Sequence, residues 1–275
     1  MTKLVPYLAD ELIEDDAALL LAEYAHARGI VIAPPIPIED IVEKHLKLSI
    51  EFDDTHKLFG VPRSGLEPDI LAAIFFDDRR IVIDESLDPE ENPAKEGRYR
   101  FTLAHEGGGH WRLHRHLFAK DPAQIALFGT PAVASFICRS SKAKNREEWQ
   151  ADFYASCLLM PRELVFSAWE EMFPDRKQRV LQPRTPFSHP FVEIPRISSP
   201  LGDLDCLESD NEALDRFARP LAERFLVSPI AMRIRLVKLG LLHRVVPGQR
   251  LLEKLDQLAA GPSNENAATF FLRKS

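Results

Sequence analysis

Cysteine is scarce in this chain: there are three in 275 residues, Cys138, Cys157 and Cys206. Three scattered thiols cannot form the bridge framework that staples small secreted domains, so a reducing compartment is expected. Long apolar runs are missing as well, and no stretch reaches the roughly 18 residues that mark a membrane-spanning helix. The opening residues, MTKLVPYLADELIEDD, turn acidic before any apolar run develops, unlike a secretory signal. The expectation is a cytoplasmic protein with no membrane partner. Positive charge is also in deficit: 35 Lys and Arg against 42 Asp and Glu leave a net charge of −7, which argues against a surface that coats nucleic acid throughout. Neither an internal repeat nor an extended low-complexity tract is present. With 45% hydrophobic and 28% charged residues, the chain has globular composition and room for one large domain or two modest ones.

The hydrophobic pattern predicts an α+β fold. Residues 9–28 read as a helix closed by Gly29, and IEDIVEKHL after the prolines at 34, 35 and 37 reads as a second, short one. LSIEFD (48–53) alternates like a strand, and DILAAIFF and RIVIDESL flank Asp77-Asp78-Arg79 as a hairpin. A small antiparallel sheet is the expectation. Residues 98–116 read as a helix interrupted by three glycines, AVASFIC as a short strand, and 147–160 as a strong helix stopped by Pro161. Prolines recur between 161 and 200, which reads as an irregular connection. Residues 211–242 return to helix, with a break at Ser228-Pro229.

The chemistry is concentrated at His105, Glu106 and His110, spaced H-E-x-x-x-H. In the commoner H-E-x-x-H the two imidazoles share one helical face, and the Glu stands beside the metal's water. One extra residue places the second histidine about 140° round an ideal α-helix from the first, out of reach of a shared ion. A π-bulge, which widens a turn by one residue, restores the alignment. The inserted residues are Gly107, Gly108 and Gly109. Three glycines cost about 2–3 kcal/mol in a plain helix, which metal binding on the order of 10 kcal/mol can offset. They also leave room for a substrate chain near the ion. A third ligand is expected from the carboxylates of Glu147-Glu148-Trp149-Gln150-Ala151-Asp152, a second helix. Glu106 suits the role of general base. His114, four residues beyond His110, is expected to support a ligand from behind, and Cys138 and Cys157 read as small buried hydrophobes.

Two blocks resemble the ImmA/IrrE-type, gluzincin-like zinc metallopeptidases. RFTLAHE…GHWRLH (100–114) is similar to F-T-x-A-H-E-x-x-H, and EWQADFYASCLLMPRE (148–163) to E-x-x-A-x-x-F-A-x-x-L-L-M-P, with Tyr154 in place of Phe. FLVSPIAMRIRLVKLGLL (225–242) resembles the family's V-S-x-x-A-x-x-x-R-L-x-x-L-G-L, so the likeness spans most of residues 10–242. It implies one Zn²⁺ per chain held by His105, His110 and Glu148, with Glu106 catalytic. It further implies a zincin-like domain over 1–200, a helical region over 205–275, and a protein substrate, a helix-turn-helix repressor. The family has two residues between Glu and His where this chain has three. The longer spacing has precedent in dipeptidyl peptidase III, whose third-ligand segment EEWQAD also resembles.

Residues 216–250 hold eight basic residues (Arg216, Arg219, Arg224, Arg233, Arg235, Lys238, Arg244 and Arg250) against one acid, Glu223. Helix, turn and helix there outline a helix-turn-helix. This leaves an alternative: an inert zinc-binding regulatory module that binds DNA or a partner protein through these helices. A basic hairpin that docks on the rest of the chain has the same signature.

Overall fold

The computed structural model describes residues 5–63, 69–118, 134–139, 145–181 and 210–244. Cys206, Arg250, the 182–200 part of the proline-rich connection and the end of the helical region from 245 onward lie outside the described residues. Helix α1 (Asp10–Arg28) buries Ile13, Ala17, Leu20, Leu21 and Tyr24 at helical spacing, carries acids in its first turn, and ends where Gly29 turns left-handed at φ 64°. Helix α2 (Ile38–Asp40) runs on as a π turn (Ile41–His45). Strand β1 (Ser49–Asp53) and the short helix α3 (Thr55–Leu58) follow, then the hairpin β2 (Ile70–Phe75) and β3 (Arg80–Asp84).

The fold class is α+β, but the sheet is mixed rather than antiparallel. Its order is β1-β3-β2-β4, where β4 is Phe136–Arg139. β2 pairs antiparallel with both neighbours, whereas β1 lies parallel to β3. The hairpin inserts its second strand next to β1. Alternation in 48–53 encodes a face to bury and carries no information on the neighbour's direction.

Helix α4 (Glu96–Leu103) continues without a break into an eleven-residue π-helical segment (Ala104–His114) and a last turn, α5 (Arg115–Phe118). Helix α6 (Arg146–Leu159) packs against that segment, and both lean on α1: Arg112 forks onto Asp16 and Glu23, and the Tyr154 hydroxyl donates to Asp16. After Pro161 the chain forms helix α7 (Arg162–Met172), so this part of the expected irregular connection is regular. Pro161 stops one helix and, with its fixed φ, starts the next. Helices α8 (Asp210–Phe225) and α9 (Pro229–Lys238) form the C-terminal pair, with the Ser228 hydroxyl accepting from the Ala231 amide at 3.1 Å. β5 (Arg179–Leu181) and β6 (Leu242–Arg244) pair parallel.

One buried cluster runs through the molecule, from Ile13 and Leu20 through Val42 and Ile81 to Leu158, Trp169, Phe225 and Met232. The C-terminal pair thus shares the core of the preceding helices. Arg235, almost wholly buried, donates to the Met160 carbonyl at 3.0 Å and pairs with Glu14 on α1. Among the described residues, no helix is long and apolar enough to cross a membrane.

Candidate metal centre

The π-helical segment brings His105 and His110 together. Its hydrogen bonds run between residues five apart, so such residues stand nearly above one another. The two imidazole centroids are 4.8 Å apart, and both side chains are fully buried. Glu148, one turn into α6, faces them, with one oxygen 3.3 Å from His105 Nε2 and the other 3.5 Å from His110 Nε2. The ligand atoms of His105, His110 and Glu148 all lie within 4.8 Å of one another, so the three could hold a metal ion.

The glycines fit this geometry for a reason other than substrate room. A Cβ on Gly107 would meet Val42 at 2.6 Å, one on Gly108 would meet Leu158 and Tyr154 at 3.0 Å, and one on Gly109 would meet Ala151 at 2.6 Å. The space they leave is filled by the protein itself. They let the widened helix press against α6 closely enough for the histidines to reach Glu148.

Each histidine is oriented from behind. His105 Nδ1 lies 2.9 Å from Asp152 Oδ1. A carboxylate can only accept, so Nδ1 carries the proton and Nε2 points at Glu148. His110 is set by a relay. The Gln150 amide nitrogen donates to the Pro6 carbonyl, so its oxygen, 2.9 Å from His114 Nε2, must accept. His114 therefore carries its proton on Nε2 and offers a bare Nδ1. His110 Nδ1, 2.9 Å away, must donate to it. That leaves the His110 Nε2 lone pair bare and aimed at Glu148. Phe136 stacks on the His110 ring at 4.1 Å and 12°, fixing its plane.

Electrostatics agree with the neutral, ligating form at His110 and favour the charged form at His105 unless a cation lies between them. Burial pushes His110 down to about 3, so it is neutral and able to ligate. Burial works against charge on His105 too, but Cys138, Asp152 and Glu148 outweigh it and hold that imidazole well above its ordinary range. Burial likewise opposes charge on Glu148, but the facing imidazoles of His105 and His110 outweigh it and hold its carboxyl far below the usual value. The position between them is built for positive charge. Two polar atoms there, His105 Nε2 and His110 Nε2, are buried with no hydrogen-bond partner, as are both oxygens of Glu106. Burial pushes the Glu106 carboxyl up to about 8, with His105 opposing and Glu148 adding.

Of the residues expected from the sequence, His105, Glu106, His110, His114 and Glu148 all gather here. Glu147 belongs to the same helix but makes none of these contacts. Gln150 was not singled out, and Asp152 was expected only among the carboxylates that could supply the third ligand; it follows Glu148 by four residues and so shares its face of α6, but it stands behind His105 at Nδ1. Phe136 and Cys138 arrive from β4, which no local spacing links to the motif. Beside His105 opens a cavity of about 710 Å³, walled by Phe101, Trp149 and Phe153 and, across from them, by Ile230 and Ile234 of α9. A scan against models of protein families finds no match to the chain, and a search of curated proteins finds none either.

Proposed function

We propose that this chain is a zinc-dependent metallopeptidase that cleaves a regulatory protein. The observation that carries this reading is the pair of buried, partnerless Nε2 atoms converging on one carboxylate, with a second buried carboxylate, Glu106, alongside. A protein does not leave buried polar atoms unpaired without compensation. Two imidazoles and a carboxylate are a donor set suited to hydrolytic zinc, and they fit the group. His105, His110 and Glu148 would hold it, one ion per chain.

When bound, zinc supplies Lewis acidity that acidifies a water and polarises a peptide carbonyl. The chain's own residues do the rest. Glu106 takes a proton from the attacking water and returns it to the leaving amine, and a carboxyl with proton affinity near neutrality suits both halves of that task. Asp152 holds His105 in the ligating tautomer, and the Pro6–Gln150–His114 relay does the same for His110. The apolar cavity beside His105 has the size and lining to take a bulky side chain of a polypeptide substrate. The resemblance to ImmA/IrrE-type peptidases points to a helix-turn-helix repressor as that substrate.

The alternative reading, an inert module that binds DNA through its basic helices, is weakened by ion pairing. Arg224 pairs with Glu171, Arg233 with Asp215, Arg235 with Glu14 and Lys238 with Asp10. The test of the peptidase reading is Glu106→Gln with elemental analysis beside it. The variant should retain about one zinc per chain and its fold while losing cleavage of the repressor. Unchanged cleavage in the variant, or absence of metal in the wild type even after zinc is offered, would overturn the proposal.

A further inference from the structure

Four Lys and Arg side chains but a single carboxylate line the cavity beside His105, in a chain of net charge −7. The carboxylate, Asp152, is held by His105 Nδ1. Two of the cations are also committed. Arg235 is held by Glu14 and the Met160 carbonyl, and Lys238 by Asp10 and the face of Phe153, 5.3 Å from the ring centroid. The other two are Arg98, exposed on α4, and Arg139, half-buried at the end of β4. Neither has an ion pair among the described residues.

Between these charges the walls are apolar and open. Trp149, Ile230 and Ile234 are 41%, 53% and 54% exposed, and the two isoleucines stand one turn apart on α9. Large apolar side chains left half open around a concavity mark a binding surface. Helical spacing leads from this surface to the reacting centre. Arg98, Phe101, Thr102 and His105 recur at intervals of three or four residues or fewer, so they lie along one face of α4 and its continuation. Seven residues at about 1.5 Å each put Arg98 about 10 Å along the axis from His105. That is the span of about three residues of extended chain. Arg139 adjoins Cys138, whose sulfur lies within 4.8 Å of a His105 ring nitrogen.

We propose that this cavity selects substrate segments in which a bulky apolar residue is flanked by a carboxylate. The apolar residue seats among Trp149, Phe153, Ile230 and Ile234, and Arg98 and Arg139 read the carboxylate. The same guanidinium groups turn away segments that carry Lys or Arg there. This inference rests on the peptidase reading above and names its substrate class. An acidic side chain and the free C-terminus of a peptide offer the same carboxylate, so the test separates them.

The test is equilibrium binding to the full-length Glu106→Gln chain, read by fluorescence anisotropy of labelled glycine-serine peptides that carry one phenylalanine. In one amidated pair the phenylalanine is flanked by glutamates or by glutamines. In a second pair it is the last residue, as the free acid or the amide. The charged member should bind about fivefold tighter at low salt, a preference that fades by about 0.5 M salt. A preference in the first pair assigns an acidic side chain, and one confined to the second assigns the chain end. Arg98→Gln/Arg139→Gln should abolish the preference and keep binding of the uncharged peptide, whereas Ile234→Asp should weaken both. Equal affinity within both pairs, a preference that survives the double arginine variant, affinity unmoved by Ile234→Asp, or no peptide bound at all overturns the proposal. Cleavage is not read, so these outcomes are distinct from failure of the peptidase reading, which shows as repressor cleavage that survives Glu106→Gln.

Discussion

Gly109 lies so close to Ala151 that a methyl group in place of its hydrogen would stand 2.6 Å from the Ala151 Cα and 2.7 Å from its Cβ. The π-helical segment and α6 therefore meet backbone to backbone at the level where two histidines must reach Glu148. In an ordinary helix interior, Gly→Ala stabilises by about 0.8–1 kcal/mol. Here the sign should reverse. Gly109→Ala is expected to lose about 1–3 kcal/mol through overpacking, read from urea unfolding, and to bind less than one zinc per chain. A gain in stability would mean that the two helices separate freely, and the close approach would then not be what positions the ligands.

Asp152 holds the proton of His105 Nδ1, and through it the direction of the Nε2 lone pair. Asp152→Asn keeps the shape and removes the charge. Losing such a partner behind a ligand typically costs 10–100-fold in metal affinity. Competition against a chromophoric chelator should show a fall of about that size, with the circular dichroism spectrum unchanged. Equal affinity in the two proteins would show that the carboxylate does not orient the ligand.

What was legible beforehand follows from the range of each interaction. H-E-x-x-x-H is a local spacing, so it announced two of the candidate metal ligands and the need for a widened helix, and the π-helical segment answers that need. The cost of three adjacent glycines was equally readable. What they face was not, because Val42 and Ala151 come from distant parts of the chain; the space assigned to a substrate is occupied by the protein. The prolines after 160 masked α7, because Pro161 reads the same as a helix stop and as a helix start. The direction of β1 was lost for a related reason, since alternation describes a strand's faces and not its partners. Cys138 was correctly read as buried, but its approach to His105 depends on strand pairing and a bulge that only the assembled sheet creates.

Glu14 ties the first helix to the last regions of the fold, pairing with both Arg162 and Arg235. Burial alone would raise its carboxyl, but the two guanidinium groups outweigh that and hold it below the ordinary carboxylate range. The folded-state value is depressed, so its contribution to stability is complete above the unfolded-state value, about 4.3, and is lost as the pH falls through the folded-state value. Glu14→Gln should cost about 2–3 kcal/mol near neutrality, because it leaves the buried Arg235 without its countercharge. The gap between wild type and variant should stay constant from about pH 5 to 7 and shrink below about pH 4. Denaturant melts across that range measure it. A gap that widens on acidification would contradict the depressed carboxyl.

Residues 216–250 hold eight basic residues against one acid, and a helix-turn-helix outline invites a test for DNA. Non-specific DNA affinity comes from cations free to replace counterions on phosphates, and each one adds about 0.9 to the salt slope. Arg224, Arg233, Arg235 and Lys238 are instead held by Glu171, Asp215, Glu14 and Asp10, and Arg235 is buried besides. Binding DNA with these residues would mean breaking pairs that also hold α8 to α7, α9 to α8 and α9 to α1, within a chain of net charge −7. The expected outcome of a gel-shift series is no complex even at low salt. Substituting Asp10 and Asp215 by Asn frees Lys238 and Arg233, and should create weak, steeply salt-dependent binding where the wild type has none. A wild-type complex with a slope equivalent to four or more released counterions would show that these pairs open for DNA, and the peptidase reading would then have to share the chain with a DNA-binding role.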